Sequence, residues 1–374
     1  VFHSTHYTGV DINMKFGPEE EWKKVFGPVF VYLNGAPAEG DFHLLWEDAK
    51  AKANEETSKW PYNFVASLDF PGRDQRGSVS GRLSVIDSLE SVFACGAFVI
   101  LANPGLIGSW QTDSKGYQFW NKTGSDGSFK IDNIRPGVYS LYSCVPGFIG
   151  EYKYGLTITI EPGSEIELGD LFFEPTRSGL TLWEIGVPDR SAAEFFIPDP
   201  NSTYVNKLYL NQDKFRQYGL WIRYADLYPA TDLVFTVGDS NYTKDWFFAH
   251  VTRKTKNGTF QGTTWQIKFQ LDSVSDSSTY VLRLALATAN AAELQVRIND
   301  PVAEIPLFTT GVIGRDNTIA RHGIHGLYRL FSVGVPGAQL QEGINIIYLS
   351  QTKSVSPFQG IMYDYLRFEL PPTS

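Results

Sequence analysis

The sequence predicts an all-β protein, and three observations carry that prediction. Its 374 residues include 26 Phe, 19 Tyr and 9 Trp against only two Met, and aromatic side chains favour strands. They are punctuated by 34 Gly and 20 Pro, the residues that shape turns. Along most of the chain apolar residues recur at period two, the spacing that lines one face of a sheet.

Taken in order, the first stretch, Val1 to about Gln75, is mixed. Val25-Phe26-Gly27-Pro28-Val29-Phe30-Val31-Tyr32-Leu33 reads as a buried strand broken at Gly-Pro. Asp41 can cap a helix through Leu44, Leu45, Ala49, Lys52 and Ala53, which Trp60-Pro61 stops because the residue before proline is pushed out of the helical region. One strand and one helix cannot bury a core, so residues 1–75 are expected to complete a domain whose earlier part lies upstream. The absence of an initiating Met and of a signal peptide before Val1 agrees with a processed product or a fragment.

From residue 76 to 176 short alternating strands dominate. Leu83 and Val85, Phe129 and Ile131, Leu156, Ile158 and Ile160, and Ile166 and Leu168 fall at period two, with turn signals at Asp126-Gly127 and Arg135-Pro136-Gly137. A small antiparallel β-sandwich is expected. In residues 177–374, Trp265, Ile267, Phe269 and Leu271 alternate with Gln266, Lys268 and Gln270, and Leu294, Val296 and Ile298 with Gln295 and Arg297. The closing run sets Leu366, Phe368 and Leu370 against Arg367 and Glu369. Strands with one wet face in a segment of this length predict a jelly roll or a related two-sheet sandwich.

Composition also excludes. With 43% hydrophobic and 20% charged residues the chain is globular rather than disordered. Its net charge of −9, from 32 basic and 41 acidic residues, comes without a basic block, so nucleic acid is not an expected partner. The longest uncharged apolar stretch, Val92 to Ala102, is about half of the ~20 residues a membrane helix needs, so no membrane partner is expected. Two cysteines, Cys95 and Cys144, exclude a disulfide-rich scaffold and leave one bridge or two buried thiols open. Sequons at Asn121, Asn201, Asn241 and Asn257, near expected turns, favour a secreted protein.

Few residues look chemical. Phosphate-cradling loops, the nucleophile elbow and His-Glu-x-x-His are absent. The pairs His3/His6 and His322/His325 have i, i+3 spacing but no acidic third ligand at a recognisable offset, so no metal and no cofactor is expected. His6, beside Tyr7, is either a hydrogen-bonded structural histidine or an acid–base group, since an unperturbed imidazole titrates near about 6.5. Lys23 and Lys24 make a small basic point on an acidic chain. Trp183, Arg223, Tyr224, Lys244, Asp245 and Trp246 combine flat aromatic faces with charge, a mixture suited to sugar stacking or to core packing.

His3-Ser4-Thr5-His6-Tyr7-Thr8-Gly9, Trp22-Lys23-Lys24-Val25-Phe26-Gly27-Pro28-Val29-Phe30-Val31-Tyr32-Leu33-Asn34, Leu182-Trp183-Glu184-Ile185-Gly186 and Gly360-Ile361-Met362-Tyr363-Asp364-Tyr365 carry a resemblance. The chain resembles the C-terminal three-quarters or less of a plant-type rhamnogalacturonan lyase of polysaccharide lyase family four. The resemblance implies the tail of a catalytic β-sandwich over 1–75, a fibronectin-type-III-like sandwich over 76–176 and a carbohydrate-binding-module-like jelly roll over 177–374. It implies cleavage of the rhamnose–galacturonate backbone of pectin by β-elimination, without a metal, by a lysine and a histidine. His6 matches the histidine and takes the role of proton donor. The family's lysine precedes that histidine, and neither Lys23 nor Lys24 is given its place, so this chain is expected to be inactive or weak. Lys244 and Trp246 are the expected substrate-binding pair of the jelly roll, and rhamnogalacturonan I the expected partner of a monomer secreted to the plant cell wall. The competing reading is a non-catalytic pectin-binding protein.

Overall fold

A computed structural model describes residues 9–37, 40–87, 90–209, 214–323 and 326–372. The chain forms two compact units: Met14–Ser143 with Tyr152–Phe173, and Glu174 onward with Cys144–Glu151 and a short N-terminal stretch ending at Asn13. Most of the residues expected to form a first and a second domain, Met14–Ser143 and Tyr152–Phe173, fall in the first unit, while Cys144–Glu151 and the stretch ending at Asn13 belong to the second.

In the first unit a helix, Phe42–Lys59 (α1), starts where the Asp41 side chain accepts the His43 N–H and ends at Trp60. It buries none of its residues. It is held instead along its surface, by Lys50–Glu47 and by Lys52 and Lys59 each bridging Glu55 and Glu56, pairs at helical spacing worth a few tenths of a kcal/mol each. Tyr32 Oη and Asn34 Nδ2 donate to the Asp48 carboxylate, both at 2.8 Å.

The expected strand at 25–33 is corrected: these residues lie outside every described strand and are largely exposed, Val31 at 74% and Leu33 at 86%. Apolarity called for burial, but a strand needs a neighbour to take its N–H and C=O groups, and none pairs with it among the described residues.

Nine strands complete the unit: Gly77–Asp87 (β1), Glu90–Phe93 (β2), Phe98–Ala102 (β3), Phe119–Lys122 (β4), Ser128–Ile134 (β5), Gly137–Cys144 (β6), Tyr152–Lys153 (β7), Ile158–Ile160 (β8) and Glu165–Phe173 (β9). β1 is the hub of one sheet, pairing with β2, β5 and β9, and β6 lies within the other, with β3 and β4 beyond one edge and β7 and β8 along the opposite one. Of the period-two residues, Leu83, Val85, Phe129, Ile131, Ile158 and Ile160 are buried, Ile166 and Leu168 are half-buried, and Leu156, just before β8, is corrected to an exposed position. The expectation of a purely antiparallel sandwich is corrected at one pair, because β9 runs parallel to β1. The Asp126-Gly127 turn forms as expected, with Gly127 at φ 76° where a Cβ would overlap the Leu83 carbonyl oxygen.

The second unit is a two-sheet sandwich. Its strands are Thr181–Gly186 (β10), Val234–Thr236 (β11), His250–Val251 (β12), Arg253–Lys254 (β13), Phe260–Gln261 (β14), Thr263–Leu271 (β15), Thr279–Ala292 (β16), Leu294–Ile298 (β17), Phe308–Thr309 (β18), Ile313–Arg315 (β19), Arg329–Pro336 (β20), Gly343–Gln351 (β21) and Gly360–Glu369 (β22). One sheet runs β10-β22-β16-β19, with β12 also on β22 and β20 also on β16; the other runs β11-β15-β21-β17-β18. The inward residues Trp265, Ile267, Phe269, Leu294, Val296, Ile347 and Leu349 meet Trp183, Leu282, Leu284, Leu366 and Phe368 in one core.

β22 differs from its expected one-faced pattern, since all ten of its residues are buried. Tyr365 packs with Ile149 and Ala285, and Arg367 and Glu369 meet Arg283. The face read as wet is an ionic layer inside the fold.

Cys95 and Cys144 are free thiols, one exposed and one buried. Burial pushes the Cys144 thiol up to about 12, and a thiol held protonated is a poor nucleophile. A maleimide is therefore expected to label Cys95 in the native protein and Cys144 only after denaturant is added, as counted by mass spectrometry; two labels in the native state would contradict the burial of Cys144.

Candidate functional site

His6, the expected proton donor, lies outside the described residues, as do His3 and His325. The chain is described again from Gly9, and there it is fixed to the second unit. The Val10 N–H donates to the Arg315 carbonyl at 2.7 Å, and the Asp11 carboxylate lies 3.4 and 3.5 Å from the guanidinium groups of Arg315 and Arg329. Gly9 sits at φ 80°, where a Cβ would overlap the Arg315 carbonyl oxygen. Only glycine allows this approach without strain.

The expected sugar pair of the jelly roll separates. Lys244 stands exposed on a short helix, Tyr242–Asp245, capped by Asn241. Trp246 is fully buried, its ring 5.1 Å from Trp265, 5.4 Å from Tyr363 and 5.7 Å from Phe235. That placement corrects the reading of Trp246 as a stacking platform, because all of its contact area is spent on the core. Trp183 and Tyr224 are buried too, whereas Arg223 pairs with Asp226 at 2.9 Å. Lys23 pairs with Asp69 at 3.0 Å, and Lys24 donates to the Ser114 and Gly116 carbonyls, so both lysines serve the first unit's own loops.

The aromatic core holds a histidine that sequence reading passed over. His250 stacks on Trp265 at 4.2 Å, with Nδ1 3.0 Å from Tyr363 Oη and Nε2 3.1 Å from the Thr263 carbonyl. Burial pushes its imidazole down to about 3 and the Tyr363 phenol well above its ordinary value. The ring is neutral, Nε2–H donating to Thr263 and Nδ1 accepting from Tyr363, which suits packing rather than proton transfer.

Two acids are also enclosed. Asp364 is the extra residue where the β16–β22 register slips between Ala285 and Leu286, and such bulges re-aim a side chain. Its Oδ1 accepts the Asp189 and Arg190 N–H groups at 2.9 and 2.6 Å. Glu194 Oε1 accepts the Val187 N–H at 3.1 Å. The other oxygen of each carboxyl is buried without a hydrogen-bond partner. Burial pushes Glu194 up to about 8 and Asp364 up to about 7; the Asp189 charge raises both, and that of Asp364 adds to the shift of Glu194.

A raised carboxyl pKa means the folded state holds protons that the unfolded state has released, so stability falls as pH rises. For Glu194 that window runs from 4.5 to about 8. Above about 6.5 His250 no longer opposes it, because the unfolded imidazole is then neutral as well. The stability of the second unit against urea is therefore expected to fall between pH 6.5 and 8, by up to about 1.4 kcal/mol per pH unit for each titrating carboxyl. Glu194→Gln should flatten that slope, and an unchanged slope would remove Glu194 from it.

Among the described residues no three His, Cys, Asp or Glu side chains gather as a metal site. The units define a class, a modular protein of β-sandwiches with its polar chemistry on loops and at one strand bulge. The sequence model of polysaccharide lyase family 4, domain II, matches residues 75–168, and that of domain III, described as carbohydrate-binding-module-like, matches 181–368. The chain belongs to polysaccharide lyase family 4. A rhamnogalacturonate lyase of Dickeya dadantii is 28% identical over 360 residues, covering 94% of this chain and 53% of the relative. Rhamnogalacturonate lyase B of Emericella nidulans is 24% identical over 384 residues, covering 93% and 56%. The chain thus spans about half the length of the curated relatives it matches. Among solved structures, the carbohydrate-binding module CsCBM6-3 of Clostridium stercorarium with cellobiose is 20% identical over 32% of this chain and 79% of its own, at a TM-score of 0.18, too low to compare folds.

Proposed function

We propose that this chain is part of a rhamnogalacturonan endolyase that cuts the rhamnose–galacturonate backbone of pectin by β-elimination. The observation that carries the proposal is the match to two rhamnogalacturonate lyases along more than nine-tenths of the chain. In this reaction the C5–H bond of galacturonate breaks, its electron pair forms the C4–C5 double bond, and the C4–O4 bond breaks with the leaving oxygen taking a proton. His6 supplies that proton. The base is assigned to no residue of this chain. The acceptor substrate is rhamnogalacturonan I, the protein acts as a secreted monomer, and exposed Lys244 is its candidate contact for a uronate carboxylate. The exposed sequons at Asn121, Asn241 and Asn257 support a secreted location.

The test is incubation of rhamnogalacturonan I with this chain and with a longer form that also carries the lysine-bearing segment the resemblance calls for. Ultraviolet absorbance of the unsaturated uronate is expected from the longer form, and its absence there would sink the proposal. A second reading, a pectin-binding protein without turnover, is favoured by the carbohydrate-binding-module-like match over 181–368. It predicts retardation in a pectin-containing gel with no product from either form.

A further inference from the structure

Outside both matched segments the first unit carries an open cavity of about 300 Å³, lined by Pro28, Ala53, Glu56, Thr57, Trp60 and Tyr62. We propose that this cavity is a subsite for one neutral pyranose ring of the polysaccharide, a reading that rests on the pectic substrate proposed above. Its volume lies at the small end of ligand sites, enough for one ring and too little for an enclosed disaccharide.

The lining has the two halves that a sugar requires. Trp60 is 36% exposed and lines the cavity, and the Arg76 guanidinium lies over its ring at 4.8 Å. A flat, partly exposed indole can take the C–H face of a pyranose, as it takes other apolar faces. Opposite that apolar character stand acceptors. Thr57 Oγ1 donates its proton to the Ala53 carbonyl at 2.8 Å, which leaves its lone pairs for a ligand. Tyr62 Oη donates to Glu56 Oε2 at 2.8 Å, and Glu56 Oε1 faces Lys59 and Lys52 at 3.1 and 3.2 Å. The Tyr62 phenol foremost, with Lys59 and Lys52, holds the Glu56 carboxyl below its ordinary range against the opposing effect of its partial burial. Glu56 is thus an ionised acceptor with lone pairs to spare.

Charge selects among ligands. Glu56 is already answered by two ammonium groups, so a cation gains little from it. Among the described residues no cation lines the cavity to answer a uronate carboxylate. What fits is a ligand rich in hydroxyl donors with one apolar face and no charge. The frame is fixed before a ligand arrives: Arg73 donates to the Ser58 and Trp60 carbonyls, both at 3.2 Å, and ties the end of α1 to the chain that follows. A pre-formed site spares the ordering cost of binding.

The experiment titrates the chain with methyl α-L-rhamnopyranoside, sodium galacturonate and choline chloride, observing ligand saturation-transfer signals and tryptophan fluorescence. Saturable binding of the rhamnoside, with neither galacturonate nor choline matching it, is expected. Trp60→Ala should abolish it. Because that change also removes the Arg76 stack, Glu56→Gln is the second variant; it keeps an amide oxygen to accept from Tyr62, gives up the partly buried pairs with Lys52 and Lys59, and should weaken binding by ~10-fold through loss of a charge-assisted hydrogen bond, with a thermal melt of each variant confirming that it is folded. The subsite is overturned if the rhamnoside does not saturate, if both variants bind it as the parent does, or if galacturonate or choline binds as well. A chain still retarded by pectin when both variants behave like the parent would keep the polysaccharide reading and lose the subsite. Rhamnoside binding lost in the variants, with no uronate product from the longer form, would keep the subsite and lose the lyase.

Discussion

Glu369→Gln is expected to destabilise the second unit by ~3–5 kcal/mol, the cost of leaving buried charge uncompensated. Glu369 is fully buried between Arg283 and Arg367, themselves 3% and 5% exposed. Arg283 donates to Oε2 through Nε and Nη2 at 3.2 and 3.0 Å, Arg367 donates to Oε1 through Nε at 2.7 Å, and the Ser178 N–H adds a fourth bond at 2.9 Å. The arginines spend further donors on Ser332, Ser178 and the Thr176 carbonyl. Glutamine keeps the shape and removes the charge that both guanidinium groups require. A thermal melt followed by circular dichroism should drop by roughly 2–4 °C per kcal/mol for a unit of this size. Replacing all three residues with apolar ones of similar volume should cost far less than the single change, because the desolvation of three charges is then avoided. A loss below about 1 kcal/mol for Glu369→Gln would show that water reaches this layer.

The other large effect concerns His6. In a form that turns over rhamnogalacturonan I, His6→Ala is expected to lower kcat by ~10²–10⁴-fold, the usual worth of one positioned proton-transfer group. KM and the melting temperature should move little, since an acid acts on the leaving oxygen in the transition state rather than on ground-state binding. A structural histidine would give the opposite result, with stability falling and turnover of the folded fraction unchanged.

Much of the fold was legible because period-two patterning reports directly on which face a side chain takes. Trp265, Ile267, Phe269 and Leu271 are all buried, and Gln266, Lys268 and Gln270 are not. The helix between Asp41 and Trp60 was legible from its cap and its proline stop. What patterning does not report is the neighbour. Residues 25–33 look like a strand core and lie exposed, while Arg367 and Glu369 look like a wet face and lie inside, because in each case a distant segment decides what covers them. Aromatic identity was equally blind to direction: Trp246 faces the core and Trp60 borders a cavity. Of the site, sequence offered His6 and Lys244. It passed over Asp364 and Glu194, whose burial follows from a one-residue register slip and a loop packed at the end of β10, neither of which leaves a local signal.

The tether at Val10 and Asp11 bears on modularity. Four residues after His6 the backbone is bonded to Arg315, and the next residue is paired with Arg315 and Arg329. A protein engineer trimming such an enzyme to its catalytic part would treat the C-terminal sandwich as a detachable sugar anchor. On the proposed lyase reading, that cut would remove the partners of Val10 and Asp11, just downstream of the proposed acid, so a trimmed form should keep the sandwich.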